Sequence, residues 1–254
     1  MKIVVLVKHV PDTDVGLNLD HSSGLLDRES GDLVPDEINE RALSVALSYK
    51  DDHKHTEVVV LSMGPDAAGK SARKGLQCGA DSAIHITDPE LSGADALRTA
   101  TVLAAALKTV NFDLVITGNA SSDGNGGVVP AMIAEILGLP LLGSVHKVQI
   151  TEQSIAAERE EGHRRTCLRS ELPAVIAVTE RSAEPRFPTF KGIIGAKRKP
   201  VTSLTVADLG DVEGSHSAVL SVSKRPERAA GVKMFDDGDA GTQLAAFLAT
   251  SQLI

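Results

Sequence analysis

Short, mainly apolar runs alternate with amphipathic segments over the first two thirds of the chain. The apolar runs span residues 3–7, 58–62, 83–86, 114–117 and 174–178, and each is bounded by polar residues, proline or glycine. Uninterrupted runs of this length are typical of strands that are buried on both faces, as in a parallel sheet. They therefore predict the strands of a parallel sheet.

Helical periodicity fills the intervals between these runs. It is found in residues 38–49, 95–107 and 129–137, with Ala42 and Ala46 on the apolar face of the first segment. Strands and helices that alternate in this way predict a doubly wound α/β fold, with a mainly parallel sheet and helices on both faces. Ligands of such folds bind beyond the carboxyl ends of the strands, so we expect the functional site at that edge.

The pattern changes after about residue 143. Residues 145–150 and 154–158 predict a small hairpin, and Leu172-Pro173 precedes the last buried strand. Beyond residue 181 the chain is expected to be irregular, with helical character only in 242–250. The predicted organisation is an α/β core over 1–180, a connecting segment over 181–223 and an extended C-terminal arm over 224–254. Such an arm is seldom stable alone, so we expect it to pack on a partner.

Composition argues against a nucleic-acid-binding protein. Lysine and arginine total 26 while aspartate and glutamate total 34, and the net charge of −8 repels a phosphate backbone. Aromatic residues make up only 2%, with no tryptophan and one tyrosine, so few side chains can stack on bases or on a flavin ring. We therefore expect no nucleic-acid partner.

The two cysteines, Cys78 and Cys167, have no CxxC pattern or metal-ligand spacing. This spacing predicts free thiols in a reducing compartment and no metal site. The first apolar run is too short for a signal peptide or a membrane span. We expect a soluble intracellular protein that is not embedded in a membrane, although a transit peptide removed earlier would leave no trace.

Residues 64–71 match the phosphate-loop pattern GxxxxGK[ST] and follow a predicted strand. An ATP-dependent enzyme that uses Gly64 to Ser71 is therefore one hypothesis. Pro65 lacks the N–H that such a loop aims at phosphate, and Asp66 adds a carboxylate beside it. We favour an ordinary helix start, capped by Asp66, with Lys70 and Arg73 on the solvent face.

A glycine-rich segment over 118–130 directly follows the strand at 114–117 and precedes a helix. It contains four glycines and two asparagines, which permit unusual backbone angles and close approach of a ligand. A helix N-terminus offers unpaired N–H groups and a positive dipole end, so a nucleotide phosphate is the expected ligand. The alternative is a flexible connection, but the segment is long for that role.

No constellation of catalytic side chains stands out. The eight histidines show no metal-ligand spacing, and no GxSxG motif supports a hydrolase. Asp36, Glu37 and Glu40 precede an apolar helical pattern, which is more often a helix start than acid–base machinery. We therefore expect a non-enzyme whose chemistry belongs to a cofactor.

Several stretches along the whole chain together match one family. They read VLVKHVPD at 5–12, DEINERA at 36–42, GLQCGAD at 75–81, GNASSDGNGGVVPAMIAEILG at 118–138, LPAV at 172–175, EPRF at 184–187 and AGVK at 230–233. In this respect the sequence resembles the beta subunit of electron transfer flavoprotein. Ordered matches from end to end are far more specific than any one of these motifs.

The resemblance implies a heterodimer with an alpha subunit that holds most of one FAD. Such a heterodimer takes electrons from flavin dehydrogenases of the acyl-CoA type and passes them to a membrane quinone oxidoreductase. In the usual members the beta subunit also binds a structural AMP, and in bifurcating members a second FAD takes its place. We favour AMP, because residues 123–127 lack the longer polar run of bifurcating members. The expected location is the cytoplasm in a bacterium or the mitochondrial matrix in a eukaryote.

Carried over by position, the resemblance implies a nucleotide site at the carboxyl edge of the sheet, with the phosphate over residues 125–129. Its residues are Leu6, Asp36, Glu37, Ile38, Asn39, Met63, Asp123, Gly124, Asn125, Gly126, Gly127, Val128, Val129, Pro130, Ala131, Met132 and Ala134.

The segment 181–223 contains a stretch that resembles the family's recognition loop for partner dehydrogenases. Phe190 falls where the apolar anchor, usually leucine, is found. The other implied docking residues are Pro185, Arg186, Phe187, Lys197, Arg198 and Lys199. Without the resemblance, this stretch is typical of a polar loop with basic residues that face solvent.

Two positions depart from the family pattern. Residues 161–166 read EGHRRT where an acidic and glycine-rich run is usual, so the turn there is expected to differ. Asp36-Glu37-Ile38 stands where many members have Asn-Pro-Phe. Ile38 therefore replaces an aromatic residue, and contacts of this chain with FAD are expected to be aliphatic or through the backbone.

Overall fold

A computed structural model describes residues 1–14, 16–28, 31–223, 226, 228, 230–231 and 233–254. These residues form two units, Met1–Ser221 and Val222–Ile254. In the described part of the chain, no helix has the length and apolar character needed to cross a membrane. The division of the first unit at residue 180 and the packing of the arm on a partner stay predictions.

The strands and helices are numbered in chain order. The strands are β1 (Lys2–Leu6), β2 (His9–Pro11), β3 (Leu33–Pro35), β4 (Glu57–Met63), β5 (Ser82–Ile86), β6 (Leu114–Gly118), β7 (Leu141–Val145), β8 (Lys147–Ile150), β9 (Ser154–Glu161), β10 (Arg164–Glu171), β11 (Ala174–Val178) and β12 (Val201–Leu204). The helices are α1 (Glu37–Asp52), α2 (Gly69–Cys78), α3 (Ala96–Lys108), α4 (Val129–Leu137), α5 (Phe190–Ala196) and α6 (Ala240–Thr250).

A parallel sheet of seven strands in the order β12-β5-β4-β1-β6-β11-β7 forms the centre of the first unit. From β1 the chain builds outward through β4 and β5, and it then returns to place β6 on the other side of β1. The carboxyl ends of β1 and β6 therefore flank the topological switch point, where ligands of doubly wound folds bind. The predicted doubly wound, mainly parallel fold is confirmed.

Helices cover both faces of this sheet. Ile3 and Val5 of β1 pack with α1 and α2, whereas Val4 of the same strand packs with α3 and α4. Both core clusters consist mainly of aliphatic side chains and alanines. This two-sided burial explains why the strands are uninterrupted apolar runs in the sequence.

The antiparallel part is larger than the predicted hairpin. The hairpin of β8 and β9 is present, with the Thr151 N–H donating to the Ser154 carbonyl oxygen at 2.9 Å, and β10 adds a third strand. Gly162, with φ of +58°, makes the turn between β9 and β10. A second antiparallel pair joins β2 and β3.

The prediction of an irregular chain beyond residue 181 is wrong for two elements. Residues 190–196 form α5, although Gly192 and Gly195 are poor helix formers. The edge strand β12 pairs with β5 although most of its residues are exposed, so it has no apolar signature. In the second unit, α6 confirms the helical character expected for 242–250.

Candidate functional site

Asp36 joins the start of α1 to the glycine-rich segment 118–130. Its carboxylate accepts hydrogen bonds from the N–H groups of Ile38 at 3.0 Å and Asn39 at 3.3 Å, which caps the helix. Its second oxygen accepts from the Ser122 N–H at 2.8 Å. Because only 1% of Asp36 is exposed, the carboxylate acts as a buried link between the two segments.

Asn39 fixes the end of β1 and restricts the end of β6. Its Oδ1 accepts a hydrogen bond from the Lys8 N–H at 2.8 Å. A Cβ atom added at Gly118 would lie 2.5 Å from Asn39 Nδ2 and 3.1 Å from Ile38 Cγ2. Glycine at position 118 therefore lets the glycine-rich segment leave β6 directly against α1.

Asp123 is held between two cations. Its Oδ1 lies 2.7 Å from Lys8 Nζ and its Oδ2 lies 2.6 Å from Arg28 Nη2, while its side chain is only 1% exposed. Burial by itself raises the pKa of Asp123. The hydrogen bond and charge of Lys8, together with hydrogen bonds from Ser121 and Arg28, outweigh burial and lower the pKa well below its usual range. The carboxylate is therefore ionised, and two half-exposed cations surround it.

The start of α4 faces solvent without a side-chain cap. Val128 precedes the helix and makes no capping hydrogen bond through its side chain, and residues 124–128 are exposed. Asn125, with φ of 46°, and Gly127, with φ of +65°, turn the backbone into the helix. Pro130 has no N–H, so the N–H of Val129 and those of the exposed residues just before the helix are the groups available to an anion.

An apolar surface borders this helix start. Leu6, Met63, Val129 and Met132 contact one core cluster on the α3 and α4 side of the sheet. Ile38 lies on the other side, against the cluster that α1 covers. The edge of the sheet thus combines apolar contacts, uncapped N–H groups and two partly exposed cations that are paired with Asp123.

Asn119, near the start of the glycine-rich segment, supplies an acceptor without a hydrogen-bond partner among the described residues. Its N–H donates to the Val178 carbonyl oxygen at 2.8 Å, which extends the pairing of β6 with β11. Its side-chain Oδ1 is buried and has no hydrogen-bond partner within the described ranges. A buried acceptor in this state costs free energy, so a donor from a ligand would stabilise it.

Residues 64–71 form a helix start with a tight turn. Residues Asp66–Ala68 make a 3-10 turn, in which the Ala68 N–H donates to the Pro65 carbonyl oxygen at 2.7 Å, and α2 follows directly. Ser71 is buried with its Oγ 2.8 Å from His9 Nδ1, so its hydroxyl already has a partner. This geometry favours the predicted helix start over a phosphate loop.

Two further details of this region concern Asp66 and His9. Asp66 accepts a hydrogen bond from Thr87 Oγ1 at 3.2 Å and caps no helix, so its predicted role as a cap is wrong. Lys70 is exposed, as predicted. Burial and the nearby charges of Lys70 and Arg28 lower the pKa of His9. A neutral His9 suits a buried structural contact with Ser71.

Some of the implied docking residues are exposed, whereas others are half-buried and contact the rest of the chain. Phe187 is 88% exposed and Phe190 is 80% exposed, and Lys197 and Arg198 also face solvent. Lys199 is half-buried and donates to backbone carbonyl oxygens of Leu76 and Ala80. Pro185 and Arg186 are also half-buried. The basic stretch is therefore not uniformly directed at solvent.

The structure brings the predicted nucleotide residues to one edge of the sheet, but only some of them are accessible to a ligand. Asp36, Asn39 and Asp123 are buried and engaged within the chain, whereas residues 124–128 are open to solvent. Glu37 is exposed and pairs with Arg41 at 2.9 Å. The remaining predicted positions, Pro130, Ala131 and Ala134, lie in the first turns of α4.

Sequence reasoning missed the residues that contact Asp36 and Asp123. These are Lys8, Arg28, Ser121 and Ser122. The position of Lys8 directly after a strand at the switch point could have indicated it. Arg28 carries no such signal, because it precedes β3 in a stretch without apolar periodicity.

Comparison with known proteins identifies the family. A model described as "Electron transfer flavoprotein domain" matches residues 24–209. A protein of Mycobacterium bovis named "Electron transfer flavoprotein subunit beta" is 44% identical over an alignment of 263 positions, which covers 99% of each chain. The chain belongs to the electron transfer flavoprotein beta-subunit family. The resemblance of the sequence is thereby confirmed, and with it the place of the chain among electron-carrying flavoproteins.

Two more distant relatives widen the comparison. An electron transfer flavoprotein subunit beta of Megasphaera elsdenii is 30% identical over an alignment of 254 positions, which covers 94% of each chain. The protein named "Caffeyl-CoA reductase-Etf complex subunit CarD" of Acetobacterium woodii is 33% identical, covering 83% of this chain and 80% of the relative. All of these relatives are named as subunits, so beta-subunit family members work within multi-subunit assemblies.

Proposed function

We propose that this chain is the beta subunit of a heterodimeric electron transfer flavoprotein and binds a structural AMP at the switch point of its sheet. The alpha subunit would hold most of the FAD, and this chain would complete its surroundings. The heterodimer would carry electrons from acyl-CoA-type and other flavin dehydrogenases to a quinone oxidoreductase. The observation that supports the AMP site is the uncapped, exposed start of α4 beside the buried link made by Asp36.

The residues at this edge fit AMP in charge and polarity. The phosphate would accept hydrogen bonds from the N–H groups of residues 126–129, with Lys8 and Arg28 nearby. The orphaned Oδ1 of Asn119 could accept from an adenine amine or a ribose hydroxyl. Leu6, Met63, Val129 and Met132 offer apolar contact for the base.

Asp36, Asn39 and Asp123 would act on AMP indirectly. Their side chains are engaged with N–H groups, Lys8 and Arg28, so they would hold the binding segment in shape. AMP has no redox role in this proposal, and FAD supplies the electron chemistry.

A second FAD in place of AMP is the alternative within the same family. The likeness to a subunit of a caffeyl-CoA reductase-Etf complex keeps this alternative open. The segment 123–127 favours AMP, because it lacks the longer polar run that the resemblance associates with bifurcating members. Ile38 offers an aliphatic side chain rather than a ring, so this chain would contact the FAD of the alpha subunit through aliphatic groups or backbone.

The proposed partner surfaces lie outside the nucleotide site. Phe187 and Phe190, with exposed Lys197 and Arg198, would dock flavin dehydrogenases. In the second unit, α6 exposes Leu244 and Phe247, and the chain ends in the exposed Leu253 and Ile254. Large apolar side chains in this number would be covered by the alpha subunit. The bacterial relatives support a location in the cytoplasm.

Co-expression with an alpha subunit from a related bacterium tests the heterodimer. The proposal predicts a yellow complex with equal amounts of both chains after two purification steps. A stable colourless monomer as the only product, with the alpha subunit purified separately, would contradict it. Magnesium-dependent ATP hydrolysis by the purified chain would instead support the phosphate-loop alternative.

A further inference from the structure

The docking helix α5 crosses the C-terminal end of α2 at very short range. A Cβ atom added at Gly192 would lie 2.2 Å from the Gln77 carbonyl oxygen and 3.2 Å from Thr189 Oγ1. The first of these neighbours is backbone, so it cannot rotate away as a side chain could. Only glycine therefore permits this crossing without a shift of one helix against the other.

Lys199, three residues after the end of α5, is hydrogen-bonded to the C-terminal end of α2 and the turn that follows it. Its Nζ donates to the Leu76 carbonyl oxygen at 2.9 Å and to the Ala80 carbonyl oxygen at 2.5 Å. Carbonyl groups at a helix C-terminus lack partners within the helix, and a cation is favourable there. Burial lowers the pKa of Lys199, while the charge of Asp81 opposes this effect.

Arg186, at the start of the segment 186–199 that contains α5, contacts both α1 and α2. The Arg186 N–H donates to Ser44 Oγ at 3.0 Å, and Arg186 Nη1 lies 2.7 Å from Asp51 Oδ2. Cys78 Sγ, at the last residue of α2, donates to the Arg186 carbonyl oxygen at 3.3 Å. The segment 186–199 is therefore held at both ends and at its middle.

The spacing of these contacts determines which side of α5 faces outward. Gly192 and Ala196 are four residues apart, so they lie on one side of α5, and Lys199 follows three residues after the helix ends. Ala196 is buried in the core. The opposite side exposes Phe190 and Ile194 to solvent.

We propose that Gly192 and Lys199 are positioning residues for docking, which hold the apolar side of α5 ready before a dehydrogenase arrives. This inference rests on the proposed docking function of the segment. A surface that is ordered in advance avoids the entropy cost of ordering on binding, and a few well-placed apolar anchors dominate an interface. Lys199 thus serves docking through its bonds to α2, whereas Lys197 and Arg198 could contribute only through their charge.

Steady-state electron transfer from a reduced acyl-CoA dehydrogenase to the heterodimer tests the proposal. Lys199→Met and Gly192→Ala should each raise the KM for the heterodimer about fivefold with kcat nearly unchanged, since docking and not electron transfer is affected. Lys199→Arg, which can still donate to both carbonyl groups, should restore most of the affinity. Lys197→Met removes a docking charge without a contact to α2, so its effect on KM should disappear at high salt, whereas the effect of Lys199→Met should persist.

Hydrogen exchange of the purified heterodimer provides a second readout that does not depend on a dehydrogenase. Amides of residues 190–196 should exchange faster in Lys199→Met than in the wild type and in Lys197→Met. Equal, salt-sensitive KM effects of Lys199→Met and Lys197→Met, or unchanged exchange in 190–196, would overturn the proposal. If the wild-type heterodimer accepts no electrons, the proposed function fails, and the exchange comparison still decides whether Lys199 positions α5.

Discussion

Gly118 stands at the point where β6 meets α1, and its lack of a side chain decides the local geometry. Asn39 Nδ2 and Ile38 Cγ2 occupy the space that a Cβ atom would need, at 2.5 Å and 3.1 Å. Asn39 cannot move away without losing its hydrogen bond to the Lys8 N–H. A single methyl group at position 118 would therefore disturb both the end of β1 and the glycine-rich segment.

The variant Gly118→Ala is expected to unfold more easily and to lose nucleotide. We expect a loss of about 1–3 kcal/mol in the free energy of unfolding, since overpacking forces neighbours to shift. Chemical denaturation and the nucleotide content of the purified protein measure both effects. Gly143→Ala is the control, because the added Cβ in β7 meets nothing closer than 3.7 Å. Equal stability of the two variants would contradict the account of Gly118.

The ion pairs of Asp123 with Lys8 and Arg28 should make the free energy of unfolding depend on pH. The folded pKa of Asp123 lies below its unfolded value, so the stabilising contribution is fully present above the unfolded pKa of about 4. It is lost as the pH falls from there toward the lower folded pKa. Asp123→Asn should cost about 1–3 kcal/mol at pH 7, because Lys8 and Arg28 lose their partner but remain partly solvated.

The measurement is the free energy of unfolding of wild type and Asp123→Asn between pH 7 and pH 3. The difference between the two proteins should be constant down to about pH 5 and should shrink below about pH 4. This difference isolates Asp123 from other carboxylates that titrate in the same range. A difference that grows as the pH falls would contradict a lowered pKa of Asp123 in the folded protein.

At the scale of elements, local pattern reveals the strands and helices but not their cross-links. The central strands were predictable because they are apolar on both faces, and the glycine-rich segment was predictable from its composition. The edge strand β12 and α5 were not, because β12 is largely exposed and α5 contains two glycines. Lys8 and Arg28 reach Asp123 across 115 and 95 residues of sequence, and no local signal indicates such contacts.

Asp36 couples two elements, so its variants should separate capping from binding. Asp36→Asn keeps an oxygen that can cap α1 but replaces the acceptor of the Ser122 N–H with an amide donor. We expect nucleotide affinity to fall about tenfold, with a smaller loss of stability, on the order of 1 kcal/mol. Titration calorimetry with AMP on the nucleotide-free protein measures the affinity.

Asp95→Asn provides the matched control for Asp36. Asp95 caps α3 through the Arg98 N–H at 2.8 Å, and its other oxygen also accepts backbone N–H groups, from His216 and Ser217. Its variant should lose a similar amount of stability while AMP affinity stays unchanged. A loss of affinity in Asp95→Asn equal to that in Asp36→Asn would mean that general destabilisation explains both results.

At the scale of the whole molecule, the chain exposes apolar side chains that suit a subunit. The low aromatic content first indicated only that few side chains could stack on a flavin ring. Membership in the beta-subunit family gives this scarcity a physical meaning, because the flavin ring would be held chiefly by the alpha subunit. This chain would then contribute the backbone N–H groups of residues 126–129 and the cations Lys8 and Arg28 to a phosphate.

A charged residue on the apolar side of α6, in the second unit, is expected to prevent assembly with the alpha subunit. Phe247→Asp places a charge on the exposed apolar side of α6 and should abolish the heterodimer, because burying an unpaired charge in an interface is costly. Thr242→Asp adds the same charge at an exposed polar position of α6 and should leave the complex intact. Size-exclusion chromatography of the co-expressed chains distinguishes the two. Unchanged assembly in Phe247→Asp would remove α6 from the proposed interface.

The central claim is that a structural AMP lies at the switch point of this chain while FAD belongs mainly to the alpha subunit. Denaturing the purified heterodimer and identifying the released nucleotides by mass tests it directly. We expect one FAD and one AMP per heterodimer, with the AMP lost in Gly118→Ala. Two FAD molecules per heterodimer, or FAD without any AMP, would contradict it.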